Sequence, residues 1–146
     1  MSFSLDITNW VKKAKGNADK VVKKVVIDLG TSVIMKNPVG DPDLWASPAP
    51  AGYVGGRSRA NWQYGNGVMP SGTIDAEDQT GQTTIAALIG KVSLSDGASV
   101  HWIANSLPYI VALENGWSWK QAPAGMVGLT VIEFQQIVRR AANERN

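Results

Sequence analysis

The sequence predicts an α+β fold: a small, mostly antiparallel sheet packed with a long N-terminal helix and a C-terminal helix, interrupted by a long Pro/Gly-rich loop. Three patterns predict it. Apolar residues recur at helical spacing over about 6–35 and again from about 128 to 145, whereas residues 57–64 and 100–104 alternate at strand spacing. Between the first helix and the first strand, residues 37–56 hold four prolines and four glycines, which deny both a helix and a regular ladder. At 146 residues, with 44% hydrophobic and 18% charged side chains, the chain has the size and composition of one globular domain spanning 1–146.

Taken in order, the first helix places Ile7, Val11, Ala14, Ala18, Val21, Val22, Val25 and Leu29 on one arc, with Lys12, Lys13, Lys20, Lys23 and Lys24 opposite. Lys15 and Ile27 break the pattern, and Gly16-Asn17 marks a kink or a first helix end. Its many valines are weak helix formers, so burial rather than propensity must hold it. The loop 37–56 is an extended arm whose Leu44, Trp45, Tyr53 and Val54 need cover, and a loop of that length inside a compact domain tends to be functional or disordered. The segment Arg57–Tyr64 reads as a strand with Trp62 and Tyr64 on one face, ended by Gly65-Asn66-Gly67. Residues 69–82 are turn-rich and solvent-facing. Ile85, Leu88, Ile89 and Val92 share a helical face, with Asp75, Glu77 and Asp78 near its start where the helix dipole favours negative charge.

A second strand follows at 100–104. Asn105-Ser106 before Pro108 forms a helix start, giving a short helix over Leu107–Asn115 that Gly116 ends. Trp117–Gly128 is irregular. The last helix sets Val127, Val131, Phe134, Val138 and Ala141 against Glu133, Gln136, Arg140 and Asn143. Leu129 and Ile132 lie beside that polar group, where apolar side chains suit a subunit contact.

Composition excludes several function classes. No apolar run approaches the roughly 20 residues of a membrane helix, and the start lacks the pattern of a secretory signal. The absence of cysteine removes disulfides, thiolate nucleophiles and cysteine-held metals, and a single histidine, His101, leaves no His-rich metal cluster. His101 sits in a strand pattern with no Gly-x-Ser-x-Gly elbow, and the glycines match no dinucleotide or phosphate loop. Asp41 and Asp43, and the Asp75-Glu77-Asp78 cluster, lack calcium-loop spacing and read as solvated charge. No catalytic residue, cofactor or metal is expected. A net charge of +2, with seven Lys against three Asp in 1–36 and three basic against six acidic groups in 37–100, is asymmetry rather than a nucleic-acid signature. Six tryptophans are the oddest feature.

Two segments carry a specific resemblance: Gly52-Tyr53-Val54-Gly55-Gly56-Arg57-Ser58-Arg59-Ala60-Asn61-Trp62, and Asn105-Ser106-Leu107-Pro108-Tyr109-Ile110-Val111-Ala112-Leu113-Glu114-Asn115-Gly116-Trp117-Ser118 continuing into Lys120–Val127. Together they resemble the neck, or tail-completion, proteins of long-tailed bacteriophages, which join the finished tail to the filled head. In that family a proline-containing loop runs into Gly-Arg-x-Arg-x-x-Trp/Ile, and a later Tyr-x-x-x-Leu/Val-Glu-x-Gly element follows a strand. Gly56, Arg57, Arg59 and Trp62 match the first pattern; Asn105, Pro108, Tyr109, Leu113, Glu114 and Gly116 match the second. The likeness covers roughly residues 25–138. It departs at the arm, which is longer and richer in Trp and Pro, and at Trp117 and Trp119, which flank Ser118.

The resemblance implies a structural virion protein of the neck, made in the host cytoplasm, with no enzymatic activity. It implies a homo-oligomeric ring continuing the tail's sixfold symmetry. Partners would be adjacent neck, tail-terminator or tail-tube proteins, with DNA only passing through the lumen and no membrane. The expected interface residues are Trp45, Tyr53, Arg57, Arg59, Glu114, Trp117, Trp119, Leu129 and Ile132. Arg57 or Arg59 could pair bidentately with Glu114 of the same or an adjacent subunit, and Glu114 could pair with Lys120. Trp62, Trp102 and Tyr109 are expected in the core. Closed rotational symmetry needs two different patches, for which the arm on one side and Trp117–Met126 on the other are the candidates. Alternatives are a tail-tube terminator, a nucleic-acid-binding module using the lysine face, and a glycan-binding domain using tryptophan platforms.

Overall fold

The structure, a computed structural model, describes residues 1–5 and 18–144. The early part of the first predicted helix, with Ile7, Val11 and the Gly16-Asn17 break, lies outside the described residues. The strands are β1 (Ser2–Leu5), β2 (Gln63–Asn66) and β3 (His101–Ala104). The helices are α1 (Ala18–Lys36), α2 (Arg57–Ala60), α3 (Gln82–Ser93), α4 (Ile110–Glu114), α5 (Val127–Ile132) and α6 (Phe134–Glu144). The fold is α+β, and its sheet is fully antiparallel in the order β1-β3-β2.

The core forms around α1. Val21, Val22, Val25, Val26, Leu29, Val33 and Ile34 are all buried and meet Leu88 and Val92 of α3, Ile137 and Ala141 of α6, and Trp62, Tyr64 and Ile103 from the sheet side. With α3 and α6 packed on it, the valine-rich helix gains from tertiary burial what it lacks in propensity. The apolar stripe is wider than one arc, so Ile27 on the supposed polar side is half-buried against the core. Three of the four lysines of α1 are in ion pairs: Lys23 with Asp19, Lys24 with Asp28 and Lys36 with Glu133.

Several sequence expectations are corrected. Arg57–Ala60 is a helical turn, not strand, and pairing begins only at Gln63, because residues 57–60 are drawn into polar contacts with the end of α1. The short helix begins at Ile110 rather than Leu107. The Asn105 side chain still accepts the Leu107 amide at 3.1 Å, but Pro108 and Tyr109 form a turn before the helix proper. The last helix is split by a turn at Glu133, and its inward face is Thr130, Ile137 and Ala141. Val131, expected inside, is 57% exposed. Ile89, expected on the inward face of α3, is 42% exposed.

Residues 69–82 are mostly exposed; Gly81 and Asp78 are buried, and Asp78 caps α3 rather than serving as solvated charge. Its Oδ1 accepts the Gly81 amide at 3.0 Å, and its Oδ2 accepts the Thr84 amide at 2.8 Å and the Thr84 hydroxyl at 2.7 Å. Burial raises the carboxyl's pKa, but the bonds from Thr84, Gly81 and Thr80 outweigh burial and leave it below its ordinary value. A carboxyl depressed in the folded state stabilises above its unfolded pKa of about 4, and that stabilisation is lost as the pH falls through the folded value. Asp78→Asn is therefore expected to lower stability at pH 7 by about 1–2 kcal/mol. The difference from the parent should shrink below about pH 4. Thermal melts of both proteins from pH 7 to pH 2.5 check this, and a pH-independent difference would contradict it.

Candidate functional site

The site is built outward from the end of α1. Asn37 is fully buried, and its amide is completely used: Nδ2 donates to the Ser58 hydroxyl at 2.6 Å and the Pro38 carbonyl at 2.9 Å, and Oδ1 accepts from Trp62 Nε1 at 2.9 Å. Its carbonyl accepts Arg59 Nε and Nη2, while other Arg59 donors reach the carbonyls of Met35 and Gln79. Burial lowers the Arg59 pKa and Asp78 opposes that shift, so a guanidinium remains. Asn105, also fully buried, donates to the Ser58 carbonyl at 2.8 Å, so Ser58 joins α2 both to α1 and to the end of β3. The two segments that carry the resemblance are thus connected through buried amides.

Gly56 makes this closeness possible. It has φ 104°, and a Cβ there would lie 2.7 Å from the Asp78 backbone. Its carbonyl accepts both the Ala60 and the Asp78 amides at 3.0 Å.

Glu114 acts in the same manner on the far segment. Its Oε2 accepts the amides of Met126 at 2.8 Å and Val127 at 2.9 Å, and its Oε1 accepts that of Gly128 at 2.9 Å. It therefore closes the 115–125 loop and caps α5, where negative charge is favoured. Within one chain the expected pairing is not made: among the described residues Glu114 meets neither Arg57, Arg59 nor Lys120. Arg59 is likewise engaged within the chain, on the carbonyls of Met35, Asn37 and Gln79.

The arm is held against that loop by Gln121, whose side chain exchanges two hydrogen bonds with the Val39 backbone, at 3.0 Å and 2.8 Å. Trp45 and Tyr53 pack with ring centroids 4.8 Å apart, and a side chain at Gly40 would collide with the Tyr53 hydroxyl. Between arm and loop runs an open groove of about 680 Å³. Trp45, Tyr53, Tyr109, Trp117 and Trp119 line it together with Arg57, Glu77 and Lys120. Trp117 and Trp119 are 77% and 69% exposed, and Lys120 Nζ lies 5.2 Å from the centre of the Trp119 ring. Tyr109 belongs to this groove and not to the core, whereas Trp62 is buried and Trp102 half-buried. The arm and Trp117–Gln121 are two walls of one groove, not patches on opposite sides.

Burial raises the pKa of both groove tyrosines. Glu77 adds to it at Tyr53; at Tyr109, Arg57 opposes it and Tyr53 adds to it. Both phenols thus stay protonated at neutral pH and can donate. The groove offers ring faces, hydroxyl donors and charges of both signs, a chemistry of binding. Ile132 is 78% exposed and Leu129 half-buried on α5, away from the residues that line the groove. His101 is buried, with Nδ1 2.6 Å from the Tyr64 hydroxyl and Nε2 3.1 Å from the Gly97 carbonyl. No cluster of three His, Cys, Asp or Glu suited to a metal occurs among the described residues. The sequence offered no signal for the Gln121–Val39 latch or for the roles of Asn37 and Ser58, because each depends on a partner far along the chain.

No family model, curated protein or solved structure matches the chain. The groove itself is the guide to function.

Replacing Glu114 with Gln keeps its shape but leaves one acceptor oxygen for three amides. Glu114→Gln is expected to lose about 1–3 kcal/mol in urea unfolding. An unchanged midpoint and slope would show that the carboxylate contributes nothing to the loop.

Proposed function

We propose that this chain is a structural protein of the phage neck, completing the tail and joining it to the head as a homo-oligomeric ring. Its neighbours are other neck, tail-terminator or tail-tube proteins, and DNA meets it only in the lumen. The observation that carries the reading is the meeting of the two resemblance-bearing segments around one exposed aromatic groove. Buried amides give those segments a rigid frame, and the frame presents tryptophans to solvent. Large exposed aromatic side chains in a rigid setting are the usual anchors of protein interfaces. Ile132 and Val131 of α5 add a second apolar surface, 78% and 57% exposed.

A tail-tube terminator is the second reading, since the same ring-forming surfaces would serve it and only position in the particle differs. The nucleic-acid reading loses support because most of the described lysines of α1 are in ion pairs within the chain. The proposal assigns the chain no reaction, consistent with a sole histidine whose two nitrogens both face protein partners in the interior.

Labelled particles provide the test. Immunogold or a cryo-EM map of virions is expected to place the chain at the junction of head and tail, and a chain absent from purified virions would overturn the proposal. Trp45→Ala and Trp117→Ala are expected to leave circular dichroism and melting within a few degrees of the parent while reducing head–tail joining in complementation assays. Full joining with both residues replaced would remove the groove from the interface.

A further inference from the structure

The arm has two sides, and only one lines the groove. Trp45 and Tyr53 face inward, whereas Asp43, Pro48 and Pro50 stand outside the groove's lining and are exposed. A 3₁₀ turn at Pro42–Leu44 fixes this flank, with Asp41 Oδ1 accepting the Asp43 amide at 3.0 Å. Among the described residues the Asp43 carboxylate has no hydrogen-bond or ion-pair partner. The same holds for the Arg57 guanidinium in the groove, and Lys120 beside it has only the Trp119 ring.

We infer that the outer flank of the arm of one copy seats in the aromatic groove of the next copy, Asp43 meeting Arg57 and Lys120, and Pro48 and Pro50 lying against Trp117 and Trp119. Charge complementarity selects this occupant: among the described residues Asp43 on the flank and Arg57 and Lys120 in the groove all lack an ion-pair partner, so an unpaired anion on one surface meets two unpaired cations on the other, which share the groove with Asp41 and Glu77. The apolar chemistry agrees, since proline-rich extended segments dock in grooves lined by tyrosine and tryptophan. Because flank and groove are different surfaces, the contact is head-to-tail and can close into a ring. The inference rests on the ring-forming part of the proposed function and names the contact that forms it.

Charge reversal tests it. By sedimentation velocity, Asp43→Arg and Arg57→Glu are each expected to weaken self-association at least tenfold. An equimolar mixture of the two should recover it, because each variant supplies the charge the other lacks, and the double variant should recover it alone. The chain has no cysteine, so a disulfide between Ser47→Cys and Ser118→Cys introduced in one chain reports the contact directly. Oxidation is expected to give a ladder extending beyond dimers. If the parent self-associates but the single reversals do so equally well, or the disulfides stop at dimers, the arm–groove contact is overturned while a ring built on another surface stands. A parent that stays monomeric at every concentration, with no ladder, overturns the contact also; location in the virion then judges the neck assignment separately.

Discussion

Three asparagine side chains, Asn37, Asn61 and Asn105, are completely withdrawn from water, and each must find its partners inside the protein. An amide buried without them would cost several kcal/mol, about as much as a sizeable part of a domain's whole stability. All are satisfied: Asn37 by Ser58, Pro38 and Trp62, Asn61 by Ile74 and Arg57, and Asn105 by Ser58 and Leu107. No buried side-chain polar atom among the described residues lacks a partner. The amides therefore act as alignment constraints. Alternative placements of α2 against α1 or β3 would strand at least one of them, and the groove inherits its shape from that one permitted arrangement.

The sequence disclosed elements that bury a periodic face. The α1 stripe, the β3 alternation and the Pro/Gly arm all follow from rules acting over a few residues. Arg57–Ala60 escaped those rules because its helical turn is stabilised by Arg59 on the carbonyls of Met35 and Asn37, more than twenty positions away. The phase of α6 escaped for a similar reason. The turn at Glu133 rotates α6 relative to α5, so Ile137 rather than Val131 faces α1. Glu114 was recognisable as a motif residue, yet its partners are three backbone amides, which no side-chain pattern announces.

Carboxylates divide the labour in a consistent manner. Asp78 and Glu114 both reach the start of a later helix, Asp78 accepting four hydrogen bonds from Thr80, Gly81 and Thr84 and Glu114 three from Met126, Val127 and Gly128. Each thereby anchors a segment poor in apolar contacts, the 69–81 turns in one case and the 115–125 loop in the other. Such segments would otherwise open at little cost. Asp43 and Glu77 have no such duty among the described residues and stand at or beside the groove. Asp78 and Glu114 are thus spent on backbone amides, whereas Asp43 and Glu77 stand near the exposed aromatic rings.

The two arginines of the first motif show how one short helix separates these roles. Residues two apart on a helix point about 200° apart, so Arg57 and Arg59 cannot share a face. Arg59 turns to the end of α1, where free carbonyls and the negative end of the helix dipole hold a guanidinium. Arg57 must then face the other way, into the groove beside Tyr109. The same turn that locks the fold therefore presents a cation outside it. A rigid frame with its binding groups already set loses little entropy when a partner arrives, which is the condition under which a shallow aromatic groove can hold another protein.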